Sequence, residues 1–307
     1  MGPKVRIERG DDPLGAVLRG ETRRGWGLDL LGLPLAAYGI ARLQEAEGAV
    51  EQIFVPPETD GLADALGSAF PSAEVLAGRE GPGAGCYVVS SDSLSVRNGA
   101  GGEAAPVRNP WTLLGAMSAA LKSQVRAPLV ASTASVAATA VLSGPCVISD
   151  GAVVDDFCKI KGPAYLGPRS KVWTGSLVRE SMIGPDCEIG FGCEIGRSYM
   201  LGRDRTAHHD VILDSVLGDD VWMGAFVGTT NRLLTNANVR YMQDGKLEDT
   251  GLDHFGAVFG HGSGIGAGTL LLPGRFVPPG AIIQAGTVYA GPADVKLRPG
   301  GGPSFCS

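Results

Sequence analysis

With 307 residues, 44% hydrophobic and 19% charged, the chain has the make-up of a folded globular protein with room for one large domain or two smaller ones. A net charge of −6 weighs against nucleic acid or an anionic membrane as its main partner. No apolar run reaches membrane-spanning length and the N-terminus (MGPKVRIERGDD) has no apolar signal core, so a cytoplasmic location is expected.

The first 77 residues have an α/β pattern. Leu35–Glu45 shows helical periodicity, Val50–Val55 is a short β-rich run ended by Pro56-Pro57, Glu58–Phe70 suits a second helix and Glu74–Ala77 a further strand. Gly78–Gly85 and Asn98–Ala105 are glycine-rich and predict loops. Asn109 is then a suitable N-cap and Pro110 a suitable first residue for a helix running to about Val125. That helix is expected to connect the two parts of the chain and to cover the open end of the C-terminal part.

From Val130 the periodicity changes. Val130, Val136, Leu142, Ile148, Val154, Ile160, Leu166, Val172 and Val178 recur every six residues, and after a slip of one residue Ile183, Ile189, Ile195 and Leu201 continue. A Gly follows each of the last four. A period of six fits neither a helix nor a half-buried strand; it fits a very short strand and a corner, repeated, which is the pattern of a hexapeptide β-helix. A Gly count of 47 agrees with many tight corners. The pattern returns at Leu217-Gly218, Met223-Gly224 and Val227-Gly228, breaks over Thr229–Ala257, and resumes at Phe259, Ile265, Leu271, Val277 and Ile283. A long polar insertion between intact coils projects from a solenoid, where loops often carry function. Arg298–Ser307 is a Gly/Pro-rich tail.

Six Cys occur without CxxC or Cys/His metal spacing; Cys146, Cys158, Cys187 and Cys193 lie within the repeat and are expected as small core or corner residues, with no metal site. The only four His are His208, His209, His254 and His261, all in or beside the interruptions of the repeat. Imidazole is the side chain best suited to general-base work near neutral pH, so these are the candidates for catalysis.

Three segments carry a family resemblance: Arg108–Leu114 (RNPWTLL), Glu194–Gly218 (EIGRSYMLGRDRTAHHDVILDSVLG) and Asn238–Gly260 (NVRYMQDGKLEDTGLDHFGAVFG). Together they resemble the acetyltransferase half of the bifunctional glucosamine-1-phosphate acetyltransferase / N-acetylglucosamine-1-phosphate uridylyltransferase family, in its archaeal-like form, over roughly residues 106–290. The resemblance implies a left-handed parallel β-helix, a homotrimer, and acetyl-CoA as co-substrate. It implies that His208, six residues before Asp214, is the base, and that Glu194, fourteen residues before His208, orients it. It also implies a backbone N–H near Gly224 and Ala225 for the oxyanion, and room for the pantetheine arm at the small residues Ala267 and Ala285. Arg179 would meet a phosphate if the one-residue slip is allowed, and His209 is the competing base.

The departures lie on the acceptor side. A Lys of the family falls at Gly196, with Arg197 beside it as a substitute; a Tyr falls at Val211 and an Asn at Trp222. Trp has one donor and no acceptor, so a pocket containing Trp222 is reshaped. Nothing in residues 1–108 matches the glycine-rich, basic loop or the magnesium carboxylates of the nucleotidyltransferase half.

The resulting expectation is a mainly β protein: a shortened, inactive nucleotidyltransferase-like α/β domain at 1–108, a connecting helix at 109–126, a left-handed β-helix at 127–295 with its loop at 229–257, and a tail at 296–307. The expected function is transfer of an acetyl group from acetyl-CoA to the amine of an amino-sugar or sugar phosphate. Alternatives are a non-catalytic trimeric binding or assembly subunit, and a relic of a sugar-phosphate nucleotidyltransferase. A β-helix carbonic anhydrase would need three zinc-binding His, which one adjacent and one distant pair do not suggest.

Overall fold

A computed structural model describes residues 3–8, 13–19, 29–31, 33–57, 61–79, 81, 87–90, 96–97, 107, 109–243, 245–291 and 295–296. It divides into two compact units, one of Met1–Ala16 with Glu21–Thr112 and one of Val17–Gly20 with Leu113–Ser307. The loop expected at Asn98–Ala105 and the tail at Arg298–Ser307 lie outside the described residues, as does most of the loop at Gly78–Gly85.

The first unit is built on a five-stranded sheet. Its order is Glu74–Ala77, Gln52–Val55, Lys4–Glu8, Tyr87–Ser90 and Val96–Arg97, parallel except for the last pair. Helices Leu35–Glu47 and Leu62–Ala69 supply Ile40, Leu43, Leu62 and Leu66 to a core with Val5, Ile7, Ile53 and Val55. The expected helices and strands fall where the periodicity puts them; Ile53 and Val55 are buried, while the edge strand Glu74–Ala77 is partly exposed.

The second unit is a left-handed parallel β-helix of hexapeptide repeats. Eight coils each place one short strand on each of three faces, named here from the first coil: Leu129–Val130 on face one, Ser135–Val136 on face two and Val141–Ser143 on face three. Every coil hydrogen-bonds to the next through parallel pairs, such as Val153 with Lys171 and Leu177 with Glu194. A strand adds about 4.8 Å to the stack. One column of inward side chains therefore forms a continuous core, with Ile148, Leu166, Ile183, Met200, Leu217, Phe259 and Val277 all buried on face one. Each full aliphatic burial contributes about 1.5–3 kcal/mol.

The slip noted in the sequence is the first of three. Val141 pairs with Lys159, eighteen residues on, whereas Leu177 pairs with Glu194 and Glu194 with Val211, each seventeen on. The lost residue comes from the corner between faces three and one, where Glu180, Arg197 and Asp214 take positive φ. Each is followed by a buried Ser. Ser181, Ser198 and Ser215 donate their hydroxyls to the carbonyls of Arg179, Gly196 and Leu213, and accept the backbone N–H of Ser198, Ser215 and Ala257 in turn. This ladder satisfies the backbone of three tight corners that would otherwise leave buried polar groups unpaired. It also corrects the inward series after Ile195: Met200, not Leu201, occupies the strand position facing the core, the next inward place is Thr206, and after Ile212, Leu217 and Met223 comes Thr229.

At the first coil, inward-facing Val130 keeps 42% of its surface exposed, while Val136 and Leu142 are partly buried against the core. The insertion between coils six and seven is an ordered hairpin, Arg240–Gln243 against Lys246–Asp249. Its base is packed by Tyr241 against Phe255 and Phe276, with ring centroids 5.9 and 6.4 Å apart. Ile195→Ala should cost about 2–5 kcal/mol of stability in urea unfolding followed by tryptophan fluorescence, because it empties a sealed core position. Val141→Ala, at a half-open outer position, should cost less than about 0.5 kcal/mol.

Candidate functional site

Face three and its corner to face one gather the charged residues. Arg179 ends one strand and Glu194 begins the next; the guanidinium reaches the Glu194 carboxylate with Nε 2.9 Å and a terminal nitrogen 2.8 Å from Oε1. Gly196 makes this possible. A Cβ there would stand 2.8 Å from Arg179 Cζ, so the guanidinium occupies the space a side chain would fill. One corner further, Arg197 grips Asp214 with two bonds of 2.6 Å, and Asn231 donates to the same carboxylate at 2.5 Å. Hydrogen bonding to Asp214 holds the Arg197 guanidinium above its ordinary value, with Glu180 and Glu194 adding to the negative field. Asp214 also accepts the Gly256 N–H on its carbonyl. Both ends of the insertion are thus fixed to one residue.

The corner between faces two and three holds the imidazoles. His208 and His209 follow Thr206 of face two and precede Val211 of face three. Backbone bonds from Phe226 to His208, Gly268 to Ala225 and Gly286 to Ala267 stack the corners of the last four coils. His208, Ala225, Ala267 and Ala285 consequently share a single column, His208 exposed at its start and Ala267 and Ala285 exposed beyond it. The Gly224 N–H is engaged by the Ile265 carbonyl, while among the described residues the Ala225 N–H has no acceptor. Trp222, half-buried on face two, pairs in register with Arg205 and Gly264.

His209 sits differently. It has φ +55° and its ring lies between Phe226, stacked at 5.3 Å, and Phe191, edge-on at 5.1 Å. A Cβ on Gly192 would lie 2.7 Å from its Nδ1, so this packing needs glycine one coil below. Of the remaining imidazoles, His254 bonds its neighbour Asp253 at 2.9 Å and His261 donates its backbone N–H to the Val17 carbonyl.

The fifth coil carries a carboxylate at each of its three corners: Asp204, Asp210 and Asp214. Asp204 is sealed and accepts N–H groups from Val221 at 2.9 Å and Gly202 at 3.4 Å. Asp210, equally sealed, accepts from Val227 at 2.7 Å and Ala207 at 2.9 Å. Desolvation raises the Asp204 carboxyl well above the ordinary range and pushes Asp210 up to about 7, against the opposing effect of those N–H bonds. Neither Asp was singled out from the sequence; for Asp210 the available signal was an acid in a column otherwise filled by Ala140, Cys158, Ser176, Cys193, Val227, Thr269 and Thr287.

Apart from Trp222 on face two, the expected residues thus fall into two groups. Arg179, Glu194, Gly196, Arg197 and Asp214 cluster on face three and its far corner; His208, Ala225, Ala267 and Ala285 form the column at the near corner, with Gly224 immediately before it. The Glu194 carboxylate rests on Arg179, and among the described residues no hydrogen bond joins it to His208. No group of three or more His, Cys, Asp or Glu placed to hold a metal occurs among the described residues, and no helix among them is long and apolar enough to cross a membrane.

This architecture defines the class: a β-helix built of hexapeptide repeats. Among solved structures the chain is similar to a hexapeptide transferase family protein from Anaplasma phagocytophilum, 21% identical over 56% of this chain and 78% of that one, with a TM-score of 0.34. It is similar to the acetyltransferase domain of PglB from Neisseria gonorrhoeae, 11% identical over 96% of this chain and 99% of that one, TM-score 0.28. A third is UDP-N-acetylglucosamine O-acyltransferase from Moraxella catarrhalis, 13% identical over 55% and 71%, TM-score 0.23. No protein-family model and no curated protein matches the chain. The fold itself rests on the strand register of the coils.

The Asp210 carboxyl gives a test of the site's electrostatics. Its native pKa lies above the unfolded value, so between about 3.8 and about 7 the native state binds a proton that the unfolded chain has released. Stability therefore falls as pH rises through that window and is level above it. Asp210→Asn should reduce this slope, leaving the share due to Asp204, as measured by urea midpoints from pH 4 to 8.

Proposed function

We propose that the solenoid unit is an acyltransferase that moves an acetyl group from acetyl-CoA to the amine of an amino-sugar or sugar phosphate. The observation that carries this reading is the column that starts at His208 and continues as Ala225, Ala267 and Ala285. A base at one end of a flat, small-residue track fits a thioester whose extended thiol arm lies along that track.

In this reading His208 takes the proton from the acceptor amine as its nitrogen attacks the thioester carbonyl carbon. The carbonyl oxygen becomes an oxyanion facing the Ala225 N–H, since the Gly224 N–H is already engaged. Collapse re-forms the carbonyl, breaks the C–S bond and releases the thiol, which receives the proton from the imidazolium. His209 is the weaker candidate because its ring is packed between Phe191 and Phe226. Glu194 would orient His208 only after parting from Arg179, and a phosphate on the acceptor is the kind of group that competes for a guanidinium. Trp222 would border the acceptor.

The oligomer proposed is a homotrimer. Support comes from exposed apolar side chains on face three and its adjoining corner, Phe157, Phe191, Val211, Phe226, Leu270 and Val288, which a partner subunit would cover. The first unit is proposed to be inactive in nucleotidyl transfer. A non-catalytic binding subunit is the second reading, favoured by the pairing of Arg179 and Arg197 with carboxylates, which leaves neither guanidinium free at rest.

Free-thiol release from acetyl-CoA with a panel of amino-sugars and their phosphates tests this. His208→Ala should lower turnover by about 100-fold or more. Turnover untouched by the substitution would discard His208 as base, and none in the wild type, with sedimentation showing an intact trimer, would favour the binding subunit.

A further inference from the structure

Two corners must keep a fixed relation for the proposed acyl transfer: the one bearing His208 on coil five and the one bearing Ala225 on coil six. The Asp210 carboxylate spans them. One oxygen accepts the N–H of Ala207, the residue before His208, and the other accepts the N–H of Val227, two residues after Ala225. Its burial removes water as a competing partner.

Elsewhere in this column the side chain does not accept N–H groups from two corners at once. Thr269 and Thr287 donate their hydroxyls to the carbonyls of Gly266 and Gln284, three residues back, and Thr269 also reaches the Gln284 carbonyl of the next coil at 3.3 Å. Ser176 donates to the Gly190 carbonyl and accepts the Cys193 N–H. Of the residues at this place, Asp210 alone presents two acceptor oxygens, and it does so on the coil that carries the exposed His208.

From this geometry we infer that Asp210 is a positioning residue, fixing the His208 corner against the Ala225 corner so that base and oxyanion donor keep their spacing. The inference rests on the acyltransferase reading for its chemical consequence, but the tie between the corners stands on the hydrogen bonds alone. Asp204 supplies the internal control. It is equally buried and bonds upward to Val221 in the same way, but at the corner between faces one and two, away from His208.

The experiment compares Asp210→Asn, Asp210→Thr and Asp204→Asn in the full chain, by steady-state thiol release and by amide hydrogen exchange. Asp210→Asn puts an amide donor against an N–H, and Asp210→Thr installs the residue that coils seven and eight use. Both should lower kcat by about 100-fold, the scale of a displacement near 1 Å, with the KM for acetyl-CoA little changed. Both should speed exchange at Val227. Asp204→Asn should lose stability yet keep kcat within about twofold.

Should Asp210→Thr fold as well as the wild type and keep its kcat, the positioning role is overturned. Equal kcat losses in Asp204→Asn and Asp210→Asn would likewise reduce Asp210 to a structural part. If the wild type shows no thiol release, the acyltransferase reading fails by itself. The tie is then decided by exchange: Val227 protection unchanged in Asp210→Asn overturns it, and faster exchange upholds it.

Discussion

Everything in the solenoid depends on the unbroken parallel ladder between coils. Each strand is only two or three residues long and would not persist alone, but each strand of the inner coils is hydrogen-bonded through its backbone to the coils on both sides. The ladder turns a separation of seventeen or eighteen residues into a rise of one strand. Residues remote in sequence are thereby placed in columns, and the columns, more than any local segment, make the candidate site. The serine ladder through Ser181, Ser198 and Ser215 keeps those columns aligned where the corners are shortest.

The period of six was legible because inward positions are aliphatic with almost no exception up to Ile195. It blurred after that residue for a physical reason. Shortened corners subtract one residue at Glu180, Arg197 and Asp214, and two inward places, Thr206 and Thr229, carry a polar side chain whose hydroxyl bonds within the corner or strand ladder. A search for aliphatic spacing therefore slides from Met200 to Leu201. The columns were less legible than the strands. The family resemblance marks His208, Ala225, Ala267 and Ala285 individually, but their alignment needs the coil lengths. The pairing of Arg179 with Glu194 was hidden altogether, because it depends on an empty side-chain place at Gly196.

The charged corner illustrates how position changes the worth of an ion pair. Arg169 with Asp186, on the corner between faces one and two, is well exposed, and such a pair contributes little. Arg197 with Asp214 is two-pronged, half-covered, and shares its carboxylate with Asn231. Removing either partner would leave the other poorly solvated, and would also loosen the base of the insertion. The same resting pairs leave the cluster of Glu180, Glu194 and Asp214 against Arg179 and Arg197 with one more acid than base. A phosphate approaching it would have to compete with carboxylates already in place, so under the proposed function an acceptor's anion would bind by exchange.

Corner strain marks the same two coils from another direction, together with coil two. At the positive-φ place between faces two and three, coils three, four, seven and eight use Gly175, Gly192, Gly268 and Gly286. Coils five and six instead use His209 and Phe226, and coil two uses Phe157. A non-glycine residue in this conformation costs about 1–2 kcal/mol. The ring contacts of His209 with Phe191 and Phe226 offset part of it, at about 0.5–1.5 kcal/mol for each aromatic pair. The stack runs outside the corner and the Asp210 carboxylate runs inside it, so coils five and six are joined on both sides of His208. A glycine at either place would relieve the strain and remove the outer tie together, which makes the strained aromatic corner part of what holds His208 in place.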